Sequence, residues 1–247
     1  MCYKTAIDQY LERHGFEAFC PKAVLFDMDG VLYDSMPHHA IAWQRSMEKF
    51  GIRMTEADAY ATEGARGVDT IRMMVKLQQG RNIDEAEAQR MYDEKTCQFH
   101  LLPETSIMTG IPKLMAQIHA GGLQIGVVTG SGQRPLIDRL LKDFGNYLDI
   151  NHITTAYDVK RGKPAPDPYL MGLEKAGHLQ PWQAIVVENA PLGVRAGVAA
   201  QIFTIAVNTG PLPNQALMQE GANLIFNRMT DLSNDWKMIV AEADRKP

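Results

Sequence analysis

The stretch Ala23-Val24-Leu25-Phe26-Asp27-Met28-Asp29-Gly30-Val31 decides how the fold of this 247-residue chain is interpreted. Its first four residues form a short, wholly apolar run, which is typical of a strand buried on both faces of a parallel sheet. Two carboxylates follow at i and i+2, where they lie on the same side of an extended chain. Gly30 allows the backbone to turn sharply beneath a bound group. The stretch therefore predicts a strand that ends in a ligand site.

Further apolar runs predict the other strands of the same sheet. They occupy residues 124–128, 184–187, 202–207 and, more weakly, 224–226. Helical patterns separate these runs, and one of them is expected to open at Tyr169, with Asp167 as its N-cap and Pro168 at its first helical position. Strands that alternate with helices indicate an α/β protein with a Rossmann-like open parallel sheet and helices on both faces.

Residues 36–101 interrupt this alternation, because they contain no apolar run typical of a buried strand. Their patterns and glycines predict helices instead, at 40–50, 69–77 and 84–99. We therefore expect a small α-helical cap domain, residues 35–102, inserted into a core of residues 1–34 and 103–247. Residues 1–20 of that core are expected to form an extra N-terminal helix.

Composition argues against several classes of partner and location. The net charge is −4 and no Lys/Arg stripe is present, so nucleic acid is not an expected partner. No apolar run reaches the roughly 18 residues of a membrane span, and the N-terminus has no secretory pattern. Cys2, Cys20 and Cys97 are odd in number and lack CxxC spacing, which predicts neither a disulfide framework nor a zinc site. We expect a cytoplasmic monomer or weak homodimer.

Polar clusters follow the predicted strands, at the edge where open α/β sheets bind ligands. The first is Asp27-Met28-Asp29-Gly30, in which one carboxylate can attack phosphorus and its neighbour can transfer protons. The second is Thr129-Gly130-Ser131, whose hydroxyl and backbone N–H groups can hold phosphate oxygens. Taken alone, the first cluster is equally consistent with a helix cap and the second with an ordinary turn.

Two more clusters complete the pattern. Prolines stiffen the segment 163–168, so that the Lys163 ammonium can offset the charge of Asp27 and of a phosphoryl group. Glu188 and Asn189 carry oxygen atoms of the kind that Mg²⁺ binds, although Asn189 is also a candidate N-cap for the next helix. The four clusters together predict a magnesium-dependent site in which Asp27 forms an aspartyl-phosphate with a small phosphorylated substrate.

The four clusters resemble the four motifs of the haloacid dehalogenase superfamily, and the resemblance covers nearly the whole chain beyond residue 22. It implies that Asp27 is the nucleophile and Asp29 the general acid/base. Thr129, with the adjoining Gly130 and Ser131, would bind the phosphoryl group, and Lys163 would orient it. The helical stretch resembles the cap that closes over the active site in this family.

The metal site is also implied by the resemblance. Asp27, Asp29 through its backbone carbonyl, Glu188 and Asn189 occupy the metal positions. Within the superfamily the chain is most similar to the β-phosphoglucomutase-like subfamily, in which the fourth motif usually reads Glu-Asp. Because Asn189 removes one negative charge, we expect Glu188 to coordinate directly and to carry more of the metal. His39 is expected either to help Asp29 swing into place as the cap closes or to pack at the interface between core and cap.

The cap loop departs further from the mutase pattern, which resembles Lys-Gly-Val-Ser-Arg and uses its Arg to grip the phosphate that is not transferred. Here Glu63 replaces the Lys and Gly67 replaces the Arg, while Arg66, one position early, is a candidate substitute if the loop shifts. An acid at position 63 would repel a second phosphate in a closed site. We therefore expect hydrolysis of a small phosphorylated metabolite or of inorganic pyrophosphate. The alternatives are conversion of β-glucose 1-phosphate to glucose 6-phosphate, or a catalytically weak binding module.

Overall fold

The computed structural model describes residues 3–131 and 134–243. Cys20 and Cys97 are exposed, free cysteines, and Cys2 lies outside the described residues. Among the described residues, no helix combines the length and the apolar character that crossing a bilayer requires. The helices and strands follow one another as α1 (Tyr3–His14), β1 (Ala23–Phe26), α2 (Met36–Glu48), α3 (Glu56–Ala61), α4 (Gly67–Gln79), α5 (Glu85–His100), α6 (Ile111–Ala120), β2 (Gln124–Val128), α7 (Arg134–Phe144), β3 (Ile153–Thr154), α8 (Asp167–Lys175), β4 (Ala184–Glu188), α9 (Pro191–Ala199), β5 (Phe203–Val207), α10 (Asn214–Gln219), β6 (Leu224–Phe226) and α11 (Met229–Ala243).

The six strands form one parallel sheet in the order β3-β2-β1-β4-β5-β6. β1 lies between β2 and β4, with Leu25 opposite both Gly126 and Val186. All four side chains of β1 are buried, as expected of a strand covered on both faces. The strand order reverses direction at β1, so the carboxyl ends of β1, β2 and β4 border one crevice. The predicted Rossmann-like open parallel sheet is confirmed.

Helices cover both faces of this sheet. The larger apolar cluster joins α1, α6 and α11 to one face, and a smaller cluster joins α8 and α9 to the other. In α1, the buried Tyr10 places its ring 5.3 Å from that of Phe203 and donates its hydroxyl to the backbone oxygen of Gln201. The expected N-terminal helix is therefore an integral part of the core.

Helices α2 to α5, residues 36–100, form a helical insertion with an apolar cluster of its own. Two neighbouring segments connect it to the sheet: Asp34 N donates to Ser106 O at 2.9 Å, and Met108 N donates to Leu32 O at 2.9 Å. The boundaries proposed for a cap domain, 35 and 102, fall close to these connections, and the division into domains stays a prediction. The short helix α3, opened by a capping box at Thr55, was not predicted.

One predicted N-cap and one candidate N-cap are wrong, and one strand was missed. α8 begins at Asp167 rather than after it, because the Asp167 carboxylate pairs with Arg161 at 2.9 and 3.0 Å and does not cap the helix. α9 has Ala190 at its N-cap, so Asn189 is not the cap. The missed strand, β3, has only two residues, too few to show an apolar pattern.

Candidate active site

Lys163 joins two carboxylates at the carboxyl end of the sheet. Asp27 N donates to Val187 O at 3.0 Å, which places the ends of β1 and β4 side by side. Lys163 Nζ then donates to Asp27 Oδ1 at 2.5 Å, to Glu188 Oε1 at 2.7 Å and to Val128 O at 3.1 Å. These three acceptors match the three protons of the ammonium group, so its position is fixed. The predicted pairing of Asp27 with Lys163 is thus present in the structure.

With both carboxylates ionised, this buried group carries two negative charges and one positive charge. Burial raises the pKa of Asp27 to about 7; Lys163 opposes that rise, and Glu188 and Asp29 add to it. Burial lowers the pKa of Lys163, but Asp27 and Glu188 together raise it above its ordinary value. An excess negative charge in a buried site is costly, and a bound cation would offset it.

Two buried oxygen atoms fit such a cation. Asp27 Oδ2 and Asn189 Oδ1 have no hydrogen-bond partner among the described residues. Asn189 packs on Gly30, whose φ is +77° and whose missing Cβ would lie 2.1 Å from Asn189 Nδ2. Buried polar atoms without partners are destabilising unless a ligand satisfies them. Carboxylate and amide oxygens are ligands that Mg²⁺ accepts, so these residues fit the predicted metal.

Glu188 is placed differently from the expectation. Its Oε1 accepts from Lys163 Nζ and from Tyr169 OH, each at 2.7 Å, and its Oε2 accepts from the backbone N–H groups of Asn189 and Ala190. The carboxylate is therefore fully hydrogen-bonded, which argues against the expectation that Glu188 coordinates a metal directly. Within residues 3–131 and 134–243, no three His, Cys, Asp or Glu side chains form a metal-binding group. Asn189 is the better candidate.

The loop after β2 lies directly under the helical insertion. Thr129 is buried, and its backbone N–H donates to Thr154 O at 2.9 Å. Its Oγ1 accepts from Ser131 N at 3.0 Å, which closes the loop. A Cβ at Gly130 would lie 3.3 Å from the backbone oxygen of Gly64, so glycine permits this close approach. Gly130 and Ser131 line the cleft between sheet and insertion, as predicted.

Asp29 is held by residues around the first turns of the insertion. Asp29 Oδ1 accepts from Ser35 Oγ at 2.6 Å and lies 3.1 Å from His39 Nε2. Lys95 Nζ lies 2.7 Å from His39 Nδ1, and since an ammonium group can only donate, the ring proton is on Nε2. Burial raises the pKa of Asp29, but His39, Ser35 and Lys95 outweigh it and lower that pKa to about 2.

Sequence reasoning missed Lys95, which is buried in α5. Its Nζ lies 5.2, 5.9 and 5.2 Å from the ring centroids of Trp43, Tyr92 and Phe99. Burial lowers the pKa of Lys95 to about 8, although Glu63 and Asp29 raise it. The available signal was a lysine with aromatic residues at i−3 and i+4, on one face of a helix.

The opposite wall of the cleft contains Glu63. Burial, followed by the charges of Asp29 and Asp27, raises the pKa of Glu63 to about 8. Beside it, the ring of Tyr92 packs on Gly67, where a Cβ would lie 2.0 Å from Tyr92 Cε2. Glycine at position 67 is therefore required by the ring, and no room is left there for an arginine.

Arg66 does not enter the cleft, contrary to the expectation that it substitutes for a phosphate-gripping arginine. Its guanidinium pairs with Asp69 at 2.7 Å, and its stem packs on Gly162 outside the cleft. The other predicted site residues come together at one end of the sheet: Asp27, Asp29, His39, Glu63, Thr129, Gly130, Ser131, Lys163, Glu188 and Asn189.

Comparisons with known proteins agree with this arrangement. The family model described as haloacid dehalogenase-like hydrolase matches residues 24–207. Hexitol phosphatase A of Escherichia coli (strain K12) is 33% identical over 190 residues, which cover 76% of this chain and 83% of that protein. The beta-phosphoglucomutase of Bacillus subtilis (strain 168) is 26% identical over 86% of this chain and 92% of its own length. A structure described as a putative beta-phosphoglucomutase from Bacteroides vulgatus has a TM-score of 0.94 and 46% identity, with 98% of each chain covered.

Proposed function

The chain belongs to the haloacid dehalogenase-like hydrolase family, in its β-phosphoglucomutase-like subfamily, and from this premise we propose that it hydrolyses a small phosphorylated metabolite or inorganic pyrophosphate. Its relatives are named as phosphatases and as a phosphoglucomutase, so the chain is a phosphohydrolase or a phosphotransferase. The nucleophile in this proposal is Asp27 and the acceptor of the phosphoryl group is water.

The proposed reaction has two steps. The Asp27 carboxylate attacks phosphorus and the bond to the leaving oxygen breaks, while Lys163 offsets the charge on Asp27. A phosphate leaves as the anion, and an alkoxide takes the proton that Glu63 holds. Water then attacks phosphorus, Asp29 takes the proton of the water, and the bond to Asp27 breaks to release phosphate. Asp27, Asn189 and the backbone carbonyl of Asp29 would hold Mg²⁺, which when bound neutralises charge on the phosphoryl oxygens.

The protonation states bear on the leaving group. Asp29, with a pKa of about 2, is ionised at neutral pH and has no proton of its own to give to a leaving oxygen. Glu63, with a pKa of about 8, still holds its proton, and Lys95 is cationic. These two groups can donate hydrogen bonds to a leaving phosphate or hydroxyl, and a phosphate leaving group needs no proton from Asp29. Of the two proposed substrate classes, this favours inorganic pyrophosphate.

The observation that favours hydrolysis over a mutase reaction is the packing of the Tyr92 ring on Gly67. A mutase must hold the second phosphate of a bisphosphate, and the mutase pattern does so with a lysine and an arginine in the cap loop. Here Glu63 stands in place of that lysine, and the ring closes the position from which the arginine would reach. The cap loop therefore lacks both of those cations at positions 63 and 67, which disfavours a bisphosphate anchored there, whereas protonated Glu63 can donate to a phosphate that leaves.

A substrate screen tests the proposal, with the Asp27→Asn variant as the blank. Pyrophosphate, hexitol phosphates, hexose phosphates and β-glucose 1-phosphate with a bisphosphate activator are assayed for phosphate release and for glucose 6-phosphate. We expect phosphate release with Mg²⁺ and none from Asp27→Asn. Glucose 6-phosphate formation much faster than any hydrolysis would show that the protein is a mutase.

A separate binding measurement tests the aspartyl-phosphate. Beryllium fluoride with Mg²⁺ mimics a phosphorylated carboxylate, so wild-type protein is expected to bind it and Asp27→Asn is not. No binding by wild type at saturating Mg²⁺ contradicts the covalent step and favours a binding module.

A further inference from the structure

Tyr169 is a buried residue of α8 that the proposed reaction does not use. It lies six positions after Lys163, is fully buried, and donates its hydroxyl to Glu188 Oε1 at 2.7 Å. Its ring centroid lies 5.0 Å from Lys163 Nζ. Tyr169 therefore contacts both Lys163 and Glu188, which form an ion pair beneath Asp27. It is not among the described residues that line the cleft.

Glu188 can act as an anchor only if its carboxylate does not rotate. Two backbone N–H groups hold Oε2, and the carboxylate lies flat against α9, where a Cβ at Gly193 would be 1.8 Å from Oε1. On the other side, Oε1 has two donors, Lys163 and Tyr169. Tyr169 is thus a neutral donor that helps to fix Oε1, while the Lys163 ammonium also donates to the carboxylate of Asp27.

The position of Lys163 depends on that anchor. Its three protons go to Asp27, Glu188 and the backbone of Val128, so a movement of Glu188 Oε1 changes the direction of the proton that faces Asp27. Without the hydroxyl of Tyr169, Lys163 is left as the one donor to Oε1 among the contacts described above, and Oε1 attracts it more strongly.

We propose that Tyr169 is a positioning residue for phosphoryl transfer: by holding Glu188, it keeps Lys163 aligned with Asp27. The inference rests on the proposed function, because it assumes that Asp27 is the nucleophile. A displacement of well under 1 Å at such a site is enough to lower the rate without affecting substrate binding.

The test compares two variants that remove the same atom at the same depth. Tyr169→Phe deletes the hydroxyl bound to Glu188, and the matched control Tyr10→Phe deletes a hydroxyl bound to a backbone oxygen far from the site. With 4-nitrophenyl phosphate and saturating Mg²⁺, we expect kcat of Tyr169→Phe to fall at least tenfold and KM to change less than twofold. Tyr10→Phe is expected to retain the wild-type kcat.

A crystal structure of Tyr169→Phe supplies a readout that does not depend on turnover. We expect Lys163 Nζ to move beyond hydrogen-bonding distance of Asp27 Oδ1, about 3.2 Å, with the fold unchanged. An unchanged contact, a kcat within twofold of wild type, or an equal loss in Tyr10→Phe overturns the proposal. A wild-type protein no more active than Asp27→Asn contradicts the proposed function instead, and the crystal structure then decides the role of Tyr169 by itself.

Discussion

Replacing Glu63 by glutamine is expected to change how the stability of the protein depends on pH. Burial beside Asp29 and Asp27 raises the pKa of Glu63 from 4.5 to about 8 in the folded state. The folded protein therefore binds this proton more tightly than the unfolded chain does. The resulting stabilisation is fully present below pH 4.5 and is lost as the pH rises through 8. Glutamine has no proton to lose, so this component disappears in Glu63→Gln.

The size of the effect follows from the shift. Each pKa unit corresponds to about 1.4 kcal/mol, which makes roughly 5 kcal/mol the upper limit for the interval between the two pKa values. Glu63 retains some contact with solvent, which reduces the cost of ionising it. We expect about 2–3 kcal/mol.

Urea unfolding followed by circular dichroism at pH 5, 7 and 9 measures this difference. The free energy of unfolding of Glu63→Gln, relative to wild type, should rise between pH 5 and pH 9 by the amount given above. Asp27 also titrates within this range, but it is present in both proteins and its contribution largely cancels. Glu48→Gln, a change at an exposed glutamate, is the control and should show no such rise. A constant difference between Glu63→Gln and wild type across this pH range would refute the placement of Glu63 in the closed cleft.

Three further predictions concern the site. Lys163→Met leaves two buried carboxylates without their shared cation. We expect the free energy of unfolding, measured with urea, to fall by about 3–5 kcal/mol and phosphate release to be undetectable. Near-normal turnover would show that the ammonium is dispensable. Asn189→Asp adds a negative charge beside Asp27, and the Mg²⁺ concentration for half-maximal activity should fall about tenfold, whereas an unchanged value would place the metal elsewhere. Gly67→Ala places a methyl group against the Tyr92 ring and should lower stability by about 1–3 kcal/mol. Tyr92→Ala should remove most of that penalty in the double variant, and strictly additive losses would contradict this packing.

Most of the fold could be predicted from local pattern. Five of the six strands are apolar runs, and the long helices of the insertion show helical spacing and glycine stops. The errors arose where the pattern was short or ambiguous. β3 has two residues and α3 has six, too few to show a clear pattern. Asp167 was predicted to cap a helix, but its carboxylate pairs with Arg161, and that contact depends on the geometry of the loop.

The positions of the proposed nucleophile and its immediate partners were also predictable, because these residues lie in short motifs at strand ends. Asp27, Thr129 and Lys163 stand where the sequence placed them. The roles that depend on side-chain orientation were not predictable. Arg66 turns away from the cleft toward Asp69. Lys95 lies thirty-two positions after Glu63 and reaches the site from a helix whose sequence has an ordinary amphipathic pattern.

The sequence by itself determined the sheet, the inserted helices and the position of the acid proposed as nucleophile, because each is encoded in contiguous residues whose spacing fixes local geometry. Only the tertiary structure decided how the charges are shared. Glu188 uses both oxygens within the protein, which leaves Asn189 as the candidate ligand. Tyr92 fills the space beside Gly67. These assignments depend on which lone pairs and volumes remain free after distant segments have packed together, and that information is not present in any one stretch of the chain.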